Sequence, residues 1–197
     1  MSPATGFCLL SRRSGVHMRR YILTGAPGSG KTAVLRQLEI DGYAVVEEAA
    51  TDVIALRQAL GTQEPWREPA FLDDIADLQR RRQLSADTVA RPVTFFDRSP
   101  VCTLALSRHL GVPAATGLRT ELDRIRVARV YEPSVFFVRH QGSVRPTAAR
   151  RISFEESLVF EKTHEAAYRE LGFTLVEVPA APLPVRAALI RQAVDAR

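Results

Sequence analysis

The sequence predicts a three-layer α/β domain built on a parallel sheet. Three observations carry this. Short apolar runs such as Tyr21-Ile22-Leu23, Phe95-Phe96 and Val135-Phe136-Phe137-Val138 alternate with longer amphipathic stretches. Within the runs, apolar residues are continuous and do not alternate with polar ones, as strands buried on both faces require. The first run leads straight into Gly25-Ala26-Pro27-Gly28-Ser29-Gly30-Lys31-Thr32. That octapeptide fits G-x-x-x-x-G-K-[ST] at every fixed position, and a strand before it with a helix after it is the context a phosphate-binding P-loop needs.

The loop's residue types follow from its task. Successive backbone N–H groups from Gly25 to Ala33 must converge on phosphates, and glycines allow the positive φ and close approach this demands. The helix that follows adds positive partial charge at its N-terminus. Lys31 can reach the β- and γ-phosphates, and the Thr32 hydroxyl can ligate Mg²⁺.

Further along, Tyr43 to Val46 reads as the second strand, ending in Glu47-Glu48 at the edge where parallel sheets bind ligands. These acids also suit the first turn of a helix. Helices are expected over 49–60 and 70–84, separated by a loop with Pro65, Trp66 and Pro69. Residues 92–96 form a third strand that delivers Asp97 and Arg98 to the same edge. Asp97 there is either a helix cap or a carboxylate that organises Mg²⁺ in the manner of a Walker B residue. Helices over 101–110 and 120–130 precede a fourth strand at 134–138. The segment 139–153 is rich in arginine, with Arg139, Arg145, Arg150 and Arg151 and few acids of its own. A helix over 154–171, a fifth strand over 173–178, a loop over 179–184 and a helix over 185–196 complete the alternation.

At 197 residues and 46% hydrophobic, the chain can bury one sizeable core. No apolar run reaches the length of a membrane span. Residues 1–17 differ from the rest, and the domain is expected over 18–197 behind a disordered leader. Cys8 and Cys102 are the sole cysteines, which excludes a disulfide framework and fits a reducing cytoplasm. The net charge is +5, yet lysine occurs only at Lys31 and Lys162. The arginines are scattered and not interleaved with aromatics, so nucleotide phosphates and an anionic small molecule account for them as well as nucleic acid does. Arg80, Arg81 and Arg82 read as a solvated helix face, and the histidines, including His109, His140 and His164, lack metal-ligand spacing.

Taken together, GAPGSGKT, YAVVEEAA, FFDRSP, RPTAARRISFEE and YRELGFTLVEVP resemble the P-loop kinase-like proteins grouped as AAA-type ATP-binding domains, which include the ribosylnicotinamide kinase domain. Deoxynucleoside and thymidylate kinases are similar at greater distance. The resemblance runs from Met18 onward. It implies a P-loop NTPase fold with strand order 2-3-1-4-5 and an arginine-rich lid, and Mg²⁺ and ATP as cofactors. It implies that Asp97 holds Mg²⁺ through water or accepts the acceptor's proton, and that Arg98 orients the acceptor or the moving phosphoryl. Glu47 or Glu48 would contact the acceptor hydroxyl, and Arg145, Arg150 and Arg151 would belong to the lid. The loop beginning at Pro179 would border the base. Deoxynucleoside kinases carry Glu-Arg-Ser where this chain has Asp97-Arg98-Ser99, and nothing resembles the second region of homology of ring-forming AAA motors.

The function expected is transfer of the γ-phosphoryl of ATP to a small hydroxyl-bearing metabolite. The alternative is a regulatory ATPase or switch. A closed pocket between the 49–84 helices and Asp97 distinguishes the first, and an open flat surface there the second.

Overall fold

A computed structural model describes residues 18–89, 91–141 and 154–196. The expected leader over 1–17 and the lid arginines Arg145, Arg150 and Arg151 lie outside the described residues. Among the described residues, five strands form one sheet: β1 (Arg19–Thr24), β2 (Ala44–Val46), β3 (Val93–Asp97), β4 (Ser134–Val138) and β5 (Thr174–Val178). All pairings are parallel and the order is β2-β3-β1-β4-β5, as expected. The helices are α1 (Lys31–Ile40), α2 (Ala50–Ala59), α3 (Phe71–Thr88), α4 (Pro100–His109), α5 (Thr116–Val127), α6 (Phe154–Glu170) and α7 (Leu183–Asp195), with a 3₁₀ turn at Pro65–Arg67.

Continuous apolar strands make sense because both faces are covered. Tyr21 and Leu23 of β1 point into one core with Val34, Leu35 and Leu38 of α1 and Ile190 and Val194 of α7. Ile22, between them, points the other way. It packs with Val101 and Ala105 of α4, Ile125 of α5 and Tyr168 of α6. A third cluster joins Val53 of α2, Phe71, Leu72 and Ile75 of α3, and Leu118 of α5. This satellite lies beside the sheet and builds one wall of the site.

Two helices depart from their expected bounds by four residues at one end. α5 starts at Thr116, four residues before its predicted start, because its first turn is capped from a distance. The Asp73 carboxylate of α3 accepts the N–H groups of Gly117 (3.3 Å) and Leu118 (2.8 Å). A side chain on Gly117 would meet that carboxylate at 2.8 Å, so the residue that looks like a helix breaker is what lets the cap approach. α3 continues to Thr88, past the last apolar position of its stripe. Its final turn is held by polar contacts: Gln83 Nε2 donates to Asp87 (2.6 Å), and Arg20 Nε donates to the same carboxylate (2.8 Å).

Candidate functional site

Strand ends bring the site together. β1 runs into the P-loop, and Gly25 adopts φ 135° with the position of a Cβ only 2.3 Å from the Val138 carbonyl oxygen of β4. Only glycine can stand there. Gly28 and Gly30 also have positive φ, 84° and 82°. Gly30 is the N-cap of α1, and no side chain caps that helix, which leaves its first N–H groups directed at the loop's concavity. Ala26 and Ser29 are buried, Pro27 and Gly28 half-buried, and Thr32 and Ala33 exposed. Arg186 of α7 supports the loop from behind: it is 1% exposed and donates from Nη2 to the Ser29 carbonyl at 2.6 Å.

Lys31 is buried, and its Nζ donates to the Ala26 carbonyl at 3.0 Å. Burial, with the nearby Arg98 cation, pushes its amine down to about 8, although Asp97 and Glu48 pull the other way. An ammonium so desolvated is poised to gain from an arriving phosphate.

β3 delivers Asp97 and Arg98. Asp97 is 7% exposed and sits in register with Leu23 of β1, beside the P-loop. The simple capping role falls away, because the N-cap of α4 is Ser99, whose Oγ accepts the Val101 N–H at 3.3 Å. Arg98 has φ 73°, a left-handed conformation that costs a non-glycine residue about 1–3 kcal/mol. Its Nε lies 2.6 Å from Glu48 Oε1, and its Nη1 donates to His164 Nε2 at 3.1 Å. Burial opposes charge on Arg98, but Glu48 more than restores it and the guanidinium pKa is raised.

The structure separates the two acids after β2. Glu48 faces Arg98, and its other oxygen accepts from the Thr51 hydroxyl at 2.8 Å. Burial raises its pKa, but Arg98, Lys31 and Thr51 outweigh that, so it is held below the usual carboxylate range. Glu47 turns away. It pairs with Arg36 and its side chain is 55% exposed against 30% for Glu48. The expectation of a site role for Glu47 is therefore not met by the geometry: Arg36 on α1 captures it on the outer surface.

These groups edge a cavity of about 400 Å³. Pro27, Lys31 and Thr32 close one side, and Glu48, Asp97 and Arg98 line the floor. Ile54 of α2, Trp66, Phe71 and Ile75 of α3, Leu106 of α4 and Phe160 of α6 form the apolar walls. Gln79 and Thr103, joined by a 3.0 Å hydrogen bond, add neutral polar groups. The volume and mixed lining suit a small-molecule site.

Several sequence expectations need correction. Arg139 is no spare cation, since it pairs with Glu161 (2.7 Å), Glu165 and Glu177. Those acids lie on α6 and β5, far from it in sequence. Arg82 is not simply a solvated charge either: Nη1 donates to the carbonyls of Glu47 (3.0 Å) and Glu48 (2.6 Å), fixing the β2–α2 turn. Pro179 is exposed and opens the connection from β5 to α7. His164, Phe160, Gln79, Thr103, Cys102 and Arg186 were not anticipated. A signal existed for two of them, because His164 and Arg186 interrupt the apolar stripes of α6 and α7.

A cation would find hard oxygen donors here in the Thr32 hydroxyl and the Asp97 carboxylate, a set that suits Mg²⁺ shared with phosphates. Among the described residues no group of three or more His, Cys, Asp or Glu side chains could hold a metal by itself. No helix among them is long and apolar enough to cross a membrane.

A family model described as an AAA domain matches residues 20–186. No curated protein matches the sequence. Among solved structures, deoxyadenosine kinase from M. mycoides, with the products dCMP and a flexible dCDP bound, is similar at 15% identity. Its TM-score is 0.58 over 90% of this chain and 100% of that one. Thymidylate kinase from Ehrlichia chaffeensis is similar at 13% identity, with a TM-score of 0.61 over 90% of this chain and 98% of that one. At such identities the likeness is one of fold.

Proposed function

The chain belongs to the AAA domain family, and on that premise we propose that it is a kinase that moves the γ-phosphoryl of ATP to a hydroxyl of a small, nucleoside-like metabolite. The observation that carries this reading is the cavity. An acceptor held between α2, α3 and Asp97 would lie beside the P-loop, where a nucleotide-dependent switch would present an open surface.

The roles follow from position and charge. The P-loop amides, Lys31 and the α1 N-terminus bind the donor phosphates. Thr32 and Asp97 would hold Mg²⁺, which supplies charge neutralisation on the phosphate oxygens. Glu48 or Asp97 accepts the acceptor's hydroxyl proton as its oxygen forms a bond to the γ-phosphorus, and the bond from that phosphorus to the β–γ bridging oxygen breaks, leaving ADP. Arg98 orients acceptor or phosphoryl, and an arginine among Arg145, Arg150 and Arg151 is the proposed lid cation. Positioning and electrostatics then account for most of the rate. The other arginines argue against a nucleic-acid stripe, since Arg20, Arg57, Arg108, Arg124 and Arg191 each pair with an acid. A reducing cytoplasm is the compartment this reading assumes, and Cys102 is a free, buried thiol.

The test is incubation with Mg²⁺-ATP and a panel of nucleosides and vitamins, with mass spectrometry of the products. A phosphorylated product is expected. Hydrolysis to ADP with no phosphorylated product across the panel would move the protein to the switch reading. With the acceptor known, Glu48→Gln should lower kcat roughly 10²–10⁴-fold, while Glu47→Gln should stay within about twofold of the parent. Equal losses would remove the distinction drawn between these acids. Trp66, the single tryptophan, lines the cavity. Its emission should change saturably as acceptor is added to the ADP complex, and constant emission with an acceptor that is turned over would place the acceptor elsewhere.

A further inference from the structure

α6 carries a histidine in the middle of its buried stripe. His164 is 0% exposed, flanked along the helix by Phe160 and Tyr168, which are buried too. Both ring nitrogens are engaged. Nδ1 lies 2.8 Å from the Phe160 carbonyl oxygen and Nε2 lies 3.1 Å from Arg98 Nη1. A carbonyl only accepts and a guanidinium only donates. The ring proton therefore sits on Nδ1, and Nε2 offers its lone pair to Arg98, so His164 is a neutral imidazole of one tautomer.

Arg98 needs that partner. Its backbone is left-handed, and the side chain is ion-paired with Glu48 from the β2–α2 junction. Besides Glu48, the Cys102 thiol of α4 touches the guanidinium. The contact from α6 adds a neutral acceptor at Nη1, which fixes the plane of the head. We propose that His164 is the positioning residue for Arg98, a neutral hydrogen-bond acceptor that aims the guanidinium's remaining N–H groups at the acceptor or the moving phosphoryl. This rests on the phosphotransfer reading for its catalytic consequence, but its geometry does not depend on it.

The charges around His164 reinforce the neutral form. Arg98 faces it from the β3–α4 junction and Lys31 from α1. His109 of α4 stacks on the Phe160 ring, 4.4 Å between centroids, and Glu48 stands beyond Arg98. Burial first, then the two cations, hold its pKa well below the ordinary histidine value. Protonation would convert the acceptor into a donor pointed at a guanidinium and release Arg98.

Two measurements test this. The first needs no turnover: ¹⁵N-histidine NMR of the intact protein should show His164 as the Nδ1–H tautomer, with no titration between pH 6 and 8. An Nε2–H tautomer, or titration near the ordinary histidine value, would overturn the proposal whether or not the protein is a kinase. The second is kinetic. His164→Leu should lower kcat on the order of 100-fold with KM for ATP within about twofold. His164→Gln, whose side-chain carbonyl can accept from Arg98, should recover at least tenfold of that loss. Full kcat in His164→Leu, or equal kcat losses in both variants when both are folded by circular dichroism, would leave His164 as packing only and reject the positioning role. Absence of phosphotransfer in the parent would count against the kinase reading alone, and the NMR result would then decide for His164.

Discussion

Replacing Lys31 with methionine is expected to slow the proposed phosphoryl transfer by orders of magnitude and, below about pH 8, to make the nucleotide-free protein more stable. The two effects share one cause. Lys31 is 6% exposed, and burial pushes its amine from 10.5 down to about 8. Between those values the unfolded chain holds the proton and the native protein does not. The unfolded state then binds more protons, so stability from this group rises with pH across that window. Below it, the native state carries a charged amine at a cost of about 3 kcal/mol. Methionine keeps the apolar stem and removes the charge. Urea unfolding in chelator should therefore show the variant ahead of the parent at pH 7, with the gap closing towards pH 10; a constant gap would refute the cause given. Turnover should fall at least about 10²–10³-fold, since the proposed mechanism uses this group to stabilise charge on the transferred phosphoryl. A site tuned against its own fold in this way is a common exchange of stability for activity.

Gly25→Ala is expected to damage fold and binding together. The added Cβ would lie 2.3 Å from the Val138 carbonyl oxygen and 3.2 Å from Ser29 Oγ, at φ 135°. Val138 is the last residue of β4 and is paired with Val178 of β5, so the carbonyl cannot give way without disturbing the sheet. Backbone strain and overlap should cost about 2–4 kcal/mol, lowering Tm by roughly 5–10 °C. The rise in Tm expected of the parent with Mg²⁺-ATP should be absent from this variant. Gly42→Ala is the control, with φ 97° but nothing within 4 Å of its Cβ position. It should lose about 1 kcal/mol and keep its response to ATP. A Gly25→Ala protein that retained the parent's ATP response would show that the close approach to β4 is not needed.

What the sequence made legible was local. The P-loop, the sheet edge at Asp97-Arg98 and the strand order of the resembled kinases all rest on residues adjacent in the chain or on the alternation of apolar runs. What escaped was set by partners distant in sequence. The start of α5 depends on Asp73, 44 residues before Gly117. Arg139 looks unpaired until Glu161, Glu165 and Glu177 fold onto it. Glu47 and Glu48 are indistinguishable as letters, and Arg36 and Arg98 separate them only in space. His164 failed the test applied to it, metal-ligand spacing, because its task is to accept a hydrogen bond from an arginine 66 residues away. Arg145, Arg150 and Arg151 fall outside the described residues, so the expected lid rests on sequence alone.

The contact between Arg186 and Ser29 spans 157 residues. It gives the nucleotide loop a birth order. Ser29 is made first, and the guanidinium that braces its carbonyl follows only after those 157 residues have been added, roughly 10–30 s later at ordinary elongation rates. During that interval the nascent chain holds a glycine loop whose rear support does not yet exist. Nucleotide affinity should therefore emerge late in synthesis, as α7 docks, instead of when the phosphate-binding motif itself has been made.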